Sequence, residues 1–214
     1  MLRARLFFSF RSPYSYLAVG RYRHLAATHE LSLTLCPVYP LAIRNPEFFA
    51  NQRPEAMAYV LRDVQRVADF LELPFRWPDP DPVVQDLGTR AIAPEQPYIH
   101  QITRLGQVAA RHRRGLDFAA EAAALIWGGT RNWHRGTHLR EAMERSGLDP
   151  DMCEKECARD ADAIDAEIAA NQAALAEAGH WGAPVLVFEG EPFFGQDRFE
   201  HAVWRMKQKG LKSL

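Results

Sequence analysis

The residues best placed to do chemistry stand at three points along the 214-residue chain. The first is Ser12-Pro13-Tyr14-Ser15, directly after an apolar run. Serine is a strong helix N-cap, and proline suits the first helical position because its missing N–H would be unpaired there anyway. The free N–H groups at a helix start carry partial positive charge, so an anion, a thiolate included, is stabilised there. With cysteine at the first and fourth positions this would be a C-x-x-C redox motif, in which the helix start depresses a cysteine pKa. Both positions are serine, so disulfide exchange by this motif is chemically excluded. Ser12 is then either a simple cap or the hydroxyl of an anion site.

The second point is His180-Trp181-Gly182-Ala183-Pro184-Val185. Proline is tolerated at a strand entrance, and a cis bond before Pro184 would expose the backbone of Ala183 and Val185. The third is Phe193-Phe194-Gly195-Gln196-Asp197-Arg198. Gln196 or Asp197 can cap the last helix, whose N-terminus suits a carboxylate, and Arg198 would add a bidentate partner for one. Capping plus a surface arginine accounts for the same pattern. Other clusters carry less. His134 and His138 stand four apart, but the glutamate of a zinc helix is missing and Gly136 weakens the helix, so no metal site is expected. Gly128-Gly129-Thr130 lacks the lysine of a phosphate loop, and no serine sits in a G-x-S-x-G elbow. Ser12 has no visible general base and is not read as an acylating nucleophile.

Strands at both ends of the chain and a helical middle must position these groups. Leu6–Phe10 is a short apolar run of buried-strand form, and Tyr14, Leu17, Ala18, Tyr22, Leu25 and Ala26 follow at helical spacing. Leu31, Leu33 and Leu35 alternate with polar residues up to Cys36, completing a βαβ unit. From about Pro46 to Gly179 the pattern turns helical, with helices expected at Pro54–Leu73, Tyr98–His112, Phe118–Trp127, Thr137–Ser146 and Asp160–Ala178. Trp77–Pro82 alternates with proline and marks a loop. Val185–Phe188 and Pro192–Phe194 flank Glu189-Gly190-Glu191 as a hairpin, and a last helix runs from about Asp197 to Lys209. The terminal strands must meet to bury their faces, which makes the central helices an insertion into one α/β domain.

Composition narrows the classes. The chain is 47% hydrophobic and 11% aromatic, which excludes a disordered protein. Lys and Arg number 26 against 27 Asp and Glu, so bulk charge predicts no nucleic-acid or anionic-membrane partner. No apolar run approaches the ~18 to 20 residues of a membrane span. The basic start is followed too soon by polar residues to make a signal peptide. Cys36, Cys153 and Cys157 form neither a C-x-x-C pair nor a disulfide framework, and the cytoplasm is the expected compartment. Cys153 and Cys157 fall four apart in a helical segment and read as packing or semi-exposed thiols.

Taken together and in this order, the three constellations resemble the thioredoxin-like proteins of the DsbA superfamily with a helical insertion. Within it the likeness is to the 2-hydroxychromene-2-carboxylate isomerase and kappa-class glutathione transferase family. It rests on Phe10-Arg11-Ser12-Pro13-Tyr14-Ser15-Tyr16-Leu17-Ala18, on Trp181-Gly182-Ala183-Pro184, and on Phe193 to Arg198. Tyr59, Asp63 and Arg66 are also similar to the Y-x-x-x-D-x-x-R helix these proteins carry in the insertion. The resemblance implies a thioredoxin-like α/β fold (βαβ…ββα), with residues 1–40 and 180–214 as the thioredoxin-like domain and 41–179 as an all-helical insertion domain.

It further implies glutathione as cofactor or cosubstrate. Ser12 would hydrogen-bond the glutathione sulfur and hold it as thiolate, facing a cis Pro184. Ala183, with Val185 beside the proline, would offer backbone to the cysteinyl unit. Gln196, Asp197 and Arg198 would hold the γ-glutamyl end, and Asn51 would lie near the thiol and the substrate. The implied reaction is cis-trans isomerisation of an unsaturated aromatic-degradation acid. In it the thiolate adds to a conjugated carbon, the former double bond rotates, and elimination returns the thiol and the trans isomer. Tyr14, Tyr39 and Arg44 are candidates for the substrate carboxylate or phenol. Substitution in place of elimination would make a kappa-like glutathione transferase that conjugates or reduces electrophiles. A non-catalytic thiol- or peptide-binding protein of the DsbA fold is the alternative outside enzymes. A small-molecule substrate and a homodimer also follow from the resemblance. The chain departs from the family pattern in three places: Ser9 stands where an aspartate is frequent, Glu55-Ala56-Met57 offers no lysine, and Gly128-Gly129 stands where an acidic residue is usual.

Overall fold

The computed structural model describes every residue except 51, 52, 87 and 90. Its centre is a mixed sheet in the order β2-β1-β3-β4. β1 (Leu2–Phe8) and β2 (Leu31–Pro37) run parallel, with Leu2 opposite Leu31 and Phe8 opposite Pro37, and α1 (Pro13–Thr28) makes the crossover. β3 (Val185–Phe188) pairs antiparallel with β1, and β4 (Glu191–Phe194) with β3. β1 begins before the apolar run because Arg3 and Arg5 alternate with buried Ala4 and Leu6, a period-two pattern that exposes both arginines on one face. It also stops at Phe8 instead of Phe10. The Ser9 carbonyl has already turned to accept the Ser12 N–H at 3.0 Å. The β3–β4 hairpin turns on Glu189 (φ 49°) and Gly190 (φ 82°), two left-handed residues as a two-residue turn of the primed type requires.

Between β2 and β3 come α2 (Leu41–Arg44), α3 (Glu47–Ala50), α4 (Pro54–Phe70), α5 (Pro97–Arg111), α6 (Gly115–Trp127), α7 (His138–Arg145), α8 (Pro150–Arg159) and α9 (Ala161–Glu177). The five helices read from periodicity are present, with ends moved by a few residues. α8 is a further one, and it carries Cys153 and Cys157. Its start is a local signal of the same kind as at Ser12: Asp149 accepts the N–H groups of Asp151 and Met152, and Pro150 takes the first position. After β4 a 3-10 turn (Gln196–Arg198) leads into α10 (Phe199–Gln208). The last helix therefore starts later than expected, and neither Gln196 nor Asp197 caps it.

One apolar cluster joins Leu6 and Phe8 of β1, Leu17 and Tyr22 of α1, Ile99 and Ile102 of α5, and Phe118 and Ile126 of α6. The inserted helices thus share the core of the sheet. A smaller cluster on the other face packs Phe7, Cys36, Val185 and Val187 under Leu175 of α9. Phe10 is the anchor beside the first motif. Its ring lies so close to α5 that a Cβ at Gly106 would meet it at 2.6 Å, and its carbonyl accepts the Trp127 indole N–H at 3.0 Å. Burying one such ring stabilises by roughly 1.5–3 kcal/mol, and here it also fixes the turn that follows. Among the described residues no helix is long and apolar enough to cross a membrane.

Candidate active site at the β1–α1 turn

Ser12 is extended (φ −92°, ψ 115°) ahead of α1, and its Oγ accepts the Ser15 N–H at 3.2 Å. It therefore caps the helix. Its own proton goes across the molecule, to the carbonyl of Ala183 at 2.9 Å, 171 residues away. The Ala183–Pro184 peptide is cis, so Ser12 faces the loop that the family resemblance implied opposite it. The Ala183 N–H has no hydrogen-bond partner among the described residues. The Gly195 N–H donates to the Pro184 carbonyl at 2.9 Å and fixes this loop to the end of β4.

These groups fit a cysteinyl peptide with an ionised sulfur. A hydroxyl bonded to an anion makes a bond roughly twice as strong as a neutral one. The Ser12 proton would turn from the carbonyl to a thiolate, leaving the Ala183 carbonyl and N–H free for a backbone. The protein supplies no such sulfur. Burial pushes Cys36 and Cys153 up to about 11 and Cys157 to about 12, so all three stay protonated at neutral pH.

Ser12 opens into a cavity of about 630 Å³. Its walls are mostly apolar, with Trp77, Trp127, Leu61, Ile92 and Phe194 around Ser9, Arg11, Tyr14, Arg44 and Ala183. A larger open groove of about 960 Å³ runs along β2 at the opposite end of the sheet, among Arg3, Arg5, Arg23 and Arg113, and contains none of the three motifs. His180 stacks on Phe194 and Trp181, with ring centroids 4.2 and 5.2 Å away, at the rim of the cavity. Its Nδ1 accepts the Gly182 N–H at 2.9 Å, which assigns the neutral ring with its proton on Nε2. Burial holds its pKa below the ordinary histidine value.

The structure sorts the predicted residues. Ser12, Tyr14, Arg44 and Ala183 line one cavity. The Tyr14 hydroxyl donates to Asp63 at 2.8 Å, and Asp63 pairs with Arg66 at 3.2 Å, so the Y-x-x-x-D-x-x-R helix holds Tyr14 in place. Burial, then Asp63, raises the Tyr14 pKa and keeps its proton on. Arg44 donates to the carbonyls of Tyr39 and Trp181, each at 2.7 Å, and has no carboxylate in ion-pair range among the described residues. Burial lowers its pKa, but a guanidinium remains charged.

Other candidates lie elsewhere. Tyr39 does not line the cavity: its hydroxyl donates to Asp165 at 3.2 Å, and burial raises it to about 12. The Val185 side chain is buried toward α9, which leaves only its backbone near the loop. Gln196 accepts from Arg21 through its carbonyl at 2.6 Å and its side-chain oxygen at 3.0 Å. Asp197 pairs with Arg198 at 2.8 Å, so that arginine already has a carboxylate. The three sit beyond the cavity, at the start of the last helix. Asn51 lies outside the described residues.

Several residues escaped the sequence reading. Arg11 grips Asp81 in a bidentate pair, Nε to Oδ1 at 2.8 Å and Nη2 to Oδ2 at 3.0 Å, and so pins the Trp77–Pro82 loop over Ser12. Asp81 also accepts the Val83 N–H at 2.8 Å. Two acidic residues in a proline-stiffened loop were the available signal. Arg21, half-buried against the Phe199 ring at 4.8 Å, holds Gln196. Trp127 was visible only as the end of a helix, and Ser9 only as a departure from the family pattern.

The chain matches the profile of the DSBA-like thioredoxin domain over residues 4–206. It superposes on a solved 2-hydroxychromene-2-carboxylate isomerase with a TM-score of 0.69 and 19% identity, covering 97% of each chain. A probable DsbA oxidoreductase from Streptomyces coelicolor gives 0.66 and 14%, covering 97% of this chain and 91% of that one. The cytosolic disulfide reductase DsbM of Pseudomonas aeruginosa, solved with GSH, gives 0.60 and 15%, covering 97% and 98%. At these identities the likeness is one of fold. A sequence search of curated proteins finds no match.

Proposed function

The chain belongs to the DsbA-like thioredoxin family, and from that premise we propose that it is a glutathione-dependent cis-trans isomerase of an unsaturated, aromatic-derived acid, similar to 2-hydroxychromene-2-carboxylate isomerase. One observation carries the reading. Ser12, in the place of a redox cysteine, caps the helix and reaches Ala183 beside the cis proline, at the mouth of a largely apolar cavity. A fold used elsewhere for disulfide chemistry would here offer a thiolate-stabilising helix start with serine, and no cysteine, at its mouth.

When bound, glutathione supplies a thiolate that adds reversibly to a conjugated carbon. The residues do the rest. Ser12 and the start of α1 keep the sulfur ionised. Ala183 aligns the cysteinyl backbone, and Gln196 and Asp197 receive the γ-glutamyl end. Arg44 takes the substrate carboxylate, and Tyr14, which stays protonated, forms the wall next to it. Trp77 and Trp127 hold a planar ring and exclude water. A small-molecule substrate, a cytoplasmic home with its reducing glutathione pool, and a homodimer complete the proposal.

The apolar walls, together with the neutralisation of Arg11 by Asp81, favour one second reading, a kappa-like transferase for apolar electrophiles. The test proceeds from binding to chemistry. Calorimetry with glutathione should give saturable binding, and the absorbance of a hydroxychromene carboxylate should then change only when glutathione is present. If chlorodinitrobenzene is conjugated while the chromene is untouched, the transferase replaces the isomerase. Glutathione that stays unbound at millimolar concentration ends both and leaves the non-catalytic binder.

A further inference from the structure

Ser9, Ser15, Tyr22 and Thr103 carry hydroxyls that are buried without a hydrogen-bond partner among the described residues. Of these, only Ser9 lines the cavity into which Ser12 opens. Ser9 is 2% exposed, so bulk water does not serve its Oγ. A buried hydroxyl left unmatched costs stability, and native proteins keep few of them.

The polar groups around it are already committed. The Ser9 carbonyl holds the Ser12 N–H at 3.0 Å, and the Phe10 carbonyl holds the Trp127 indole at 3.0 Å. The Arg11 guanidinium is turned to Asp81, which neutralises it through a bidentate pair. Among the described residues the Ser9 hydroxyl is therefore unspent, just beneath the wall that Ser9 contributes to the cavity and one turn from Ser12.

We propose that Ser9 is the subsite for an oxygen of the second substrate, donating a hydrogen bond to the carbonyl conjugated with the double bond that isomerises. The inference rests on the glutathione reading above. Rotation about a double bond conjugated to a carbonyl requires its π pair to move onto the carbonyl oxygen, and to return when the trans isomer forms. No proton need be gained or lost. A neutral donor suits an oxygen that is uncharged when it arrives and negative only in passing, because a fixed hydroxyl strengthens its bond as charge develops.

Two thioether conjugates of glutathione isolate this contact without turnover. S-(3-oxo-3-phenylpropyl)glutathione places a ketone where the adduct would carry it, and S-(3-phenylpropyl)glutathione has the same chain without the oxygen. The wild-type protein should bind the ketone about fivefold more tightly, the worth of one neutral hydrogen bond. Ser9→Ala should erase that preference, leave affinity for glutathione itself unchanged, and leave the melting temperature equal or higher, since an unmatched polar group is removed. Equal binding of the two conjugates by the wild type, the outcome if a trapped water already satisfies Ser9, overturns the inference while the glutathione site stands. So does a preference that survives in Ser9→Ala, or a drop in melting temperature of the size a bonded serine would give. If neither conjugate nor glutathione binds at all, the glutathione reading falls, and Ser9 with it.

Discussion

Two polar regions of this molecule are built on opposite plans. Where α5, α8 and α9 meet, donors and acceptors close on one another. Arg111 reaches Glu156 at 2.9 Å, Glu167 at 2.7 Å and Asp160 at 3.6 Å, and the His112 ring bonds Glu156 at 2.7 Å. Gln107 donates to Glu167 at 2.8 Å, and Asn171 ties Gln107 to the Pro37 carbonyl, each at 3.0 Å. Around the β1–α1 turn, beside the pairs made by Arg11, Ser12 and Tyr14, some groups are left open. Among the described residues the Ser9 hydroxyl has no partner, the Ala183 N–H has none, and Arg44 faces carbonyls without a counter-charge. Closed networks hold elements together, whereas open ones wait for something to bind. Asn171 links the two, because Pro37 ends the strand beside β1 and so steadies the turn that carries Ser12.

Single substitutions should separate the plans. Ser12→Ala is expected to produce the largest effect, a loss of about a hundredfold in glutathione-dependent turnover, because one fixed donor to an anionic centre is worth about that. The same change removes an N-cap worth about 1 kcal/mol, a drop of only about 2–4 °C in melting temperature at this chain length. Steady-state kinetics and calorimetry on one preparation give both numbers, and comparable losses in free energy would reduce Ser12 to a cap. Arg111→Met should do the reverse. It leaves Glu156, whose side chain is 12% exposed, to the His112 ring alone among the described residues and beside Glu167. Partial exposure discounts the cost of breaking a buried pair to about 2 kcal/mol, or about 4–8 °C. Turnover and glutathione affinity should stay within about twofold, because Arg111 lies outside the cavity. A large change in affinity with an unmoved melting temperature would mean that the closed network is part of the site.

What was legible in the chain divides along the same line. Signals that act within a few residues were there to read: Ser12-Pro13 opens α1, Glu189-Gly190 turns the hairpin, and the alternation of Leu31, Leu33 and Leu35 builds β2. Asp149-Pro150 is of the same kind and would have announced α8. The pairings that make the site operate over distances that no local pattern records. Arg11 meets Asp81 across 70 residues, and Arg21 meets Gln196 across 175. Tyr39 shows the reverse error. It follows β2 more closely than Arg44 does, but the α9 carboxylate of Asp165 turns its hydroxyl away from the cavity. Ser9 was visible as an unusual residue at its position. That its hydroxyl lacks a partner among the described residues is a property of the packed fold.

The smallest effect concerns acid, where the two regions should fail in different windows. Burial lowers the pKa of His180, so the folded protein favours the neutral ring, whose Nδ1 accepts from Gly182. A group with a depressed folded pKa stabilises above its ordinary value, about 6.5 for histidine, and that stability is lost as pH falls through the lowered folded value. Protonation would also set a ring N–H against the Gly182 N–H and loosen the loop before Pro184. The carboxylates of the closed network give way later. Arg111 lowers Glu167, and Arg104 lowers Asp165, so their contribution persists above the ordinary carboxylate range and disappears only as pH falls below about 4. His180→Phe keeps the stacking on Phe194 but removes the acceptor for the Gly182 N–H. At pH 7.5 it should melt a few degrees below the wild type, roughly the worth of one hydrogen bond. Between about pH 6.5 and pH 5 that gap should narrow, as the wild type loses what the variant never had. The measurement is a melting curve every half pH unit for both proteins, and a gap that stays constant from pH 8 to pH 5 would show that the His180 ring is not part of the loop's stability.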